Sequence, residues 1–238
     1  MLTLQHGRTV EEAQSDPFRF EADMAPAVRD WLGRQGLVVR SELATPVGIC
    51  DLAGCLIDQG RAAERKRLGQ ARVLGPQLRV DVWSRVSADW PVSSAALTED
   101  YSGTVTGQRI EQELARLVAS RLVERNPRGD YIRYAPWHPL HERLVAVELK
   151  LTKVTDALRQ AEAYQTFANE TYVALPARVA HVTRELHHQR FRTASVGLLA
   201  VHLTRVEILI DAAPRQPFDE VLTTHVVERF WRDSLGDR

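Results

Sequence analysis

A chain of 238 residues with 44% hydrophobic and 26% charged side chains has ordinary globular composition, enough for one large domain or a domain carrying a smaller insert. Its 31 basic and 31 acidic side chains cancel, which excludes a uniformly basic nucleic-acid coat but not a local basic groove. There is no signal pattern and no apolar run long enough to span a bilayer, so a cytoplasmic location is expected. Cys50 and Cys55 have opposite parity on one strand and should face opposite sides; two small buried hydrophobes are expected rather than a disulfide or a zinc pair.

In chain order, Met24, Val28, Trp31 and Leu32 recur at helical spacing, so a helix is expected from about 17 to 32, ended by Gly33 and Gly36. Leu37-Val38-Val39 reads as a strand, and Gly48 through Ile57 as a second, with Pro46 and Gly48 breaking the chain between them. Residues 61–75, rich in Arg, Lys and Ala, read as a helix; Leu78, Val80, Val82, Trp83 and Val86 continue mostly at helical spacing. A short helix at 91–97 and a longer one at 106–121, with Ile110, Leu114, Leu117 and Val118 on one face, come next. The segments 122–125 and 131–134 flank Asn126-Pro127-Arg128-Gly129-Asp130, a hairpin signal. Helix, short helix, long helix and hairpin is the order of a winged helix-turn-helix; a helical bundle with a protruding hairpin is the alternative.

Trp137, Pro139 and Leu140 lead into Leu144-Val145-Ala146-Val147, an apolar run expected to be a strand covered on both sides. A helix at 156–168, with Thr155-Asp156 as its start, a strand at 171–175, a helix at 179–191, strands at 196–201 and 206–210, and an amphipathic stretch at 218–231 follow. Strands alternating with helices after residue 144 imply an α/β sheet with helices on its faces.

The chemistry centres on Glu148-Leu149-Lys150. Strand side chains alternate, so Glu148 and Lys150 point one way while Val147 and Leu149 point the other. Two charges at the end of an apolar strand are costly unless paired or used. Asp51, in the apolar strand Ile49-Cys50-Asp51-Leu52, is a second carboxylate in the same predicament; it either caps a turn, pairs with an arginine, or joins Glu148 in an oxygen-rich site of the kind Mg²⁺ prefers. Gln160 and Tyr164 share a helix face, and Glu21 opens the first helix, either as a solvated acid favoured by the macrodipole or as a further site carboxylate. His181, His187, His188, His138 and His141 have no cysteine or carboxylate spacing that completes a zinc set.

A helix with Glu21, a strand with Asp51, a strand with Glu148-x-Lys150 and a helix with Gln160-x-x-x-Tyr164 resembles, in that order, the PD-(D/E)xK nuclease superfamily, in its branch of RecB-type nucleases and Holliday-junction resolvases. The resemblance covers residues about 17–58 and 144–177 and fits loosely to about 210. It implies an α/β fold, a restriction-endonuclease-like mixed sheet flanked by helices, discontinuous over 1–60 and 136–238 and interrupted by a winged helix-turn-helix insert at 61–135. By this resemblance, Asp51, Glu148 and the Leu149 carbonyl bind Mg²⁺ or Mn²⁺. Lys150 activates water and steadies phosphate charge, Glu21 assists, and Gln160 and Tyr164 shape the site or touch the DNA backbone. The expected activity is metal-assisted hydrolysis of DNA by an endonuclease or exonuclease, with DNA as partner and a homodimer as an option. The competing expectation is an inactive DNA-binding or regulatory protein on the same scaffold. The chain departs from the pattern in two respects: the insert separates Asp51 from Glu148, and the proline nearest before Asp51 is Pro46.

Within the insert, Gln108, Gln112 and Arg116 fall opposite the apolar face of the 106–121 helix and are the expected base readers. Arg125, Arg128 and Arg133, in or beside the wing, are expected at phosphates or the minor groove, with Glu111, Glu113 and Glu124 diluting the positive field.

Overall fold

The apolar run at 144–147 forms the middle of a strand buried on both faces, and the sheet is built outward from it. The computed structural model describes residues 17–70, 73–134 and 140–234; Trp137, His138 and Pro139 lie outside them. A 3-10 turn, Glu21–Met24, leads into α1 (Ala25–Gly33). The expected single helix is divided there because Pro26 sits in the first α-helical turn and has no N–H to bond back into a preceding one. Strands β1 (Val38–Thr45) and β2 (Gly48–Ile57) form an antiparallel hairpin, β1 running well beyond the expected Leu37–Val39. Next come α2 (Gln59–Arg67), α3 (Gln77–Arg85), α4 (Ser94–Glu99), α5 (Gly107–Ala119) and the hairpin β3 (Val123–Arg125) with β4 (Tyr131–Arg133). The helix expected over 61–75 stops at Arg67, where Gly69 takes φ 70° and closes the helix end. Then follow β5 (His141–Leu149), α6 (Val154–Tyr164), β6 (Glu170–Pro176), α7 (Ala177–Ala194), β7 (Gly197–Val201), β8 (Val206–Ile210) and α8 (Glu220–Ser234). Helix α6 starts two residues earlier than expected, and no side chain caps it; Asp156 lies in its first turn.

The six-stranded sheet has the order β1-β2-β5-β6-β7-β8. Strands β5, β6 and β7 are parallel, joined by α6 and α7, while β1, β2 and β8 run antiparallel to their neighbours. This is an α/β fold with a mixed sheet flanked by helices. One face packs Leu52, Val145, Val147 and Leu149 under Met24, Val28 and Leu32 of the N-terminal helical segment. The other packs Ala53, Cys55, Leu144 and Ala146 under Tyr164, Phe167 and the α8 residues Val226, Phe230 and Trp231. Among the described residues no helix is long and apolar enough to cross a membrane.

The two cysteines correct the parity argument: both lie in the cluster under α8. The β1–β2 register is continuous from Val38↔Cys55 to Thr45↔Gly48, but the step between Ser41↔Leu52 and Leu43↔Cys50 is unpaired, and Glu42 there takes a left-handed φ of 49° opposite Asp51. Beyond that step Leu43 and Cys50 both lie in the cluster under α8. The Cys50 thiol donates to the Leu52 carbonyl, 3.1 Å away.

Residues between β2 and β5 build a separate apolar cluster of Leu74, Val80, Trp83, Leu97, Ile110, Leu114, Leu117 and Tyr131. Val92 bridges Tyr131, adding a third extended segment beside the hairpin. Helix α2 behaves differently: its Ala62 joins the main sheet's cluster, so the boundary expected at residue 61 falls inside an element packed on the sheet. Buried Arg65 of α2 forms a two-pronged pair with buried Glu228 of α8 at 2.5 and 2.9 Å, and donates through Nε to Gln70 O at 2.9 Å. The second Glu228 oxygen also accepts from Leu74 N at 2.7 Å. Every strong group is therefore satisfied, which a buried ion pair requires. Glu228→Ala strands Arg65 and Leu74 N, and should lower the unfolding free energy by about 3–5 kcal/mol in denaturant titrations.

Candidate active site

Glu148 is 1% exposed at the end of β5, on the face shared with Leu144 and Ala146. Extending the β2–β5 register one residue past Leu52↔Val147 sets Asp51 opposite it. Asp51 reaches across to accept from Leu149 N at 2.8 Å. Lys150 follows directly after the strand, where its own N–H is anchored to Ala174 O at 3.1 Å. Its Nζ lies 2.6 Å from Glu148 Oε1, 3.1 Å from Leu149 O and 3.5 Å from Glu21 Oε2. Tyr164, fully buried on α6, holds its hydroxyl 2.7 Å from both Glu148 Oε2 and Ile49 O. Sequence separation thus disappears: Glu21, Asp51, Glu148, Lys150 and Tyr164 meet at one end of the sheet. Gln160 is half-buried on the same helix face, one turn closer to the C-terminal end of β5 than Tyr164, and makes no side-chain hydrogen bond among the described residues.

The electrostatics follow from burial. Desolvation pushes the Glu148 carboxyl above its ordinary value, against the hydrogen bonds from Lys150 and Tyr164, and the charge of Asp51 adds to the rise. Burial also raises Asp51, opposed by Leu149 N–H and Lys150 and reinforced by Glu21 and Glu42. For Lys150 burial pulls downward, but the Glu148 hydrogen bond and the charges of Glu148, Glu21 and Asp51 prevail, so the ammonium is held protonated. Tyr164 is pushed up by burial and by Glu148 and stays neutral. Its single hydroxyl proton faces two acceptors, so a protonated Glu148 completes the hydrogen bonding that an ionised one leaves short.

Three carboxyl groups (Glu148, Glu21 and Asp51) surround one ammonium, an excess of acidic groups over bases. That excess, together with an all-oxygen donor set of Asp51, Glu148 and the Leu149 carbonyl, fits a hard divalent cation. Among the described residues no group of three or more His, Cys, Asp and Glu side chains is arranged to hold a metal. The fit is therefore to an ion that keeps several waters or substrate oxygens in its shell, as Mg²⁺ does.

Two contributors escape a reading of the sequence: the Ile49 carbonyl that takes the Tyr164 hydroxyl, and Glu42, whose charge bears on Asp51. Backbone acceptors carry no sequence signal, and Glu42 looks like any outward strand residue until the β1–β2 pairing sets it opposite Asp51.

In the insert, Gln108 and Gln112 are exposed on α5, with Gln112 accepting from Arg109 at 3.4 Å. Glu113 is not a solvated diluting charge but fully buried, gathering Arg79 at 2.7 Å, Arg116 at 2.8 Å and Arg109 at 2.9 Å. Arg116 is thereby committed within the helix. Arg125 and Arg128 are exposed at the hairpin, Arg125 lying over the Tyr131 ring. Arg133 departs from expectation: it is half-buried, stacks 4.4 Å over Trp83, donates to Val86 O, and donates to Ser84 O at 2.7 Å. It satisfies the orphan carbonyls at the end of α3 instead of facing outward.

No protein-family model, curated protein or solved structure matches this chain.

Because the folded carboxyl of Glu148 binds its proton more tightly than the unfolded one, its ionisation costs stability. The cost is absent below the ordinary value of 4.5 and grows as pH rises through the folded value. Glu148→Gln should therefore gain thermal stability over the parent protein at pH 7–8, with the gain shrinking toward pH 4.5. A melting-temperature difference that does not change with pH would refute the assignment.

Proposed function

We propose that the chain is a metal-dependent deoxyribonuclease that hydrolyses phosphodiester bonds on a restriction-endonuclease-like sheet, with residues 74–134 as an inserted winged-helix unit engaging DNA. The observation that carries this reading is the meeting of Asp51, Glu148, Lys150 and Tyr164 at the C-terminal end of one buried strand. A strand with two charged residues at its buried end, each held by a partner from another element, is costly to maintain for stability alone.

Asp51, Glu148 and the Leu149 carbonyl would hold Mg²⁺ or Mn²⁺. A bound ion lowers the pKa of its water and neutralises charge on the phosphoryl oxygens. Lys150, kept cationic by the carboxylates around it, places a fixed positive charge where a phosphodiester would approach, and can orient the attacking water. Tyr164 locks Glu148 in position from the α6 side. Glu21 holds Lys150 from the opposite side, and Gln160, one turn nearer the C-terminal end of β5 than Tyr164, would touch the DNA backbone. The order α3, Val92 bridge, α4, α5, β3, β4 supports reading the insert as a winged helix, with exposed Gln108 and Gln112 as its base readers.

Incubation of the purified protein with Mg²⁺ or Mn²⁺ and linear, nicked, branched or single-stranded DNA should give cleavage of at least one substrate. Glu148→Gln, Asp51→Asn and Lys150→Met should each slow it by about 10²-fold or more. Cleavage undiminished in Glu148→Gln or Asp51→Asn would sink the proposal. Calorimetry finding no Mn²⁺ binding, with DNA binding intact, would favour a DNA-binding protein on this scaffold.

A further inference from the structure

Helix α7 carries four arginines (Arg178, Arg184, Arg190 and Arg192), three histidines and a single acid, Glu185. Residues 184–190 are all exposed, between buried Thr183 and Phe191. At 3.6 residues per turn, Arg178, Arg184, His188 and Arg192 fall within about 120° of one another, in an arc that begins beside buried Phe191 and runs onto the solvent side of the helix. They form a strip about 21 Å long. Among the described residues none of the four arginines joins an ion pair; Arg190, beside the strip, donates to Thr155 at 3.4 Å. The contrast with α5 is direct, since Arg109 and Arg116 there are bound to buried Glu113. The net-neutral chain thus has cationic potential to spare on α7 rather than on the helix a winged-helix reading would favour.

One end of the strip lies at the candidate active site's end of the sheet. Arg178 stands in the first turn of α7, directly after β6, whose Ala174 carbonyl accepts the Lys150 N–H. Glu148 pairs in register with Val173, which packs in one cluster with Ala180 and Phe191 of α7, so the strip and Glu148 belong to the same face of the sheet.

We propose that the solvent face of α7, through Arg178, Arg184 and Arg192, is a docking track for the phosphate backbone of duplex DNA entering the Glu148 site. Charge complementarity selects a polyanion, and the nuclease reading, on which this inference rests, selects DNA as that polyanion. At 3.4 Å per phosphate along one strand, the strip spans about six nucleotides.

The test is duplex-DNA binding in EDTA, with affinity followed against salt concentration, for the parent protein and for the combined variant Arg178→Gln, Arg184→Gln, Arg192→Gln. The three lost phosphate contacts should reduce the slope of log affinity against log salt by about 2.7, alike for unrelated sequences. The matching Arg→Lys variant should keep the slope, because lysine also neutralises a phosphate; this separates charge loss from misfolding. Hydrolysis of bis(p-nitrophenyl) phosphate with Mn²⁺ should be equal in the parent and the Gln variant, since so small a diester needs no track. An unchanged salt slope in the Gln variant, or no DNA binding by the parent protein, would overturn the proposal. So would a parent dimer that the Gln variant loses while its salt slope stays unchanged, which would place a second copy of the chain on α7. Absence of diester hydrolysis in every form would count against the nuclease reading alone, because the binding measurement is made without metal.

Discussion

The contact between Lys150 and Glu148 is the constraint on which the rest of the site depends. A strand covered on both faces cannot end in an unpaired carboxylate, because removing that charge from water costs several kcal/mol. A 2.6 Å charge-assisted bond on one oxygen and the Tyr164 hydroxyl on the other offset that cost only in part, and burial still drives Glu148 toward its protonated form. The result is a group that is fixed in place yet electrostatically uncomfortable, a condition common where chemistry rather than stability is selected.

The surrounding architecture serves that placement. Parallel pairing of β5 with β6 anchors Lys150 through Ala174, and the antiparallel β2 brings Asp51 alongside. The left-handed Glu42 interrupts the β1–β2 pairing beside Asp51. Asp51 is partly exposed there, where its carboxylate bonds the backbone of β5.

Arginine partners decide how the insert relates to the rest. Arg65 is consumed by Glu228, Arg79, Arg109 and Arg116 by Glu113, and Arg133 by the end of α3. Each of these arginines is tied to an internal partner, Arg65 at the junction of α2 with α8 and the others in the unit whose cluster gives residues 74–131 their own core. The arginines of α7 escape this fate because almost no acidic side chain shares their helix.

Much of this was legible without coordinates. Alternation put Glu148 and Lys150 on one face and Val147 and Leu149 on the other, because the period of a strand is fixed by backbone geometry. Helical spacing likewise placed Gln160 beside Tyr164, and apolar runs separated by turn residues located the strands. Tertiary structure alone decided which distant residues meet. Asp51 and Glu148 become neighbours only through the β2–β5 pairing, and Glu21 reaches Lys150 only because the N-terminal helical segment packs across the sheet. The facing of Cys50, the burial of Glu113 and the inward turn of Arg133 were likewise beyond a linear reading. Each depends on a local backbone departure or a long-range partner, and local propensity carries no information about either.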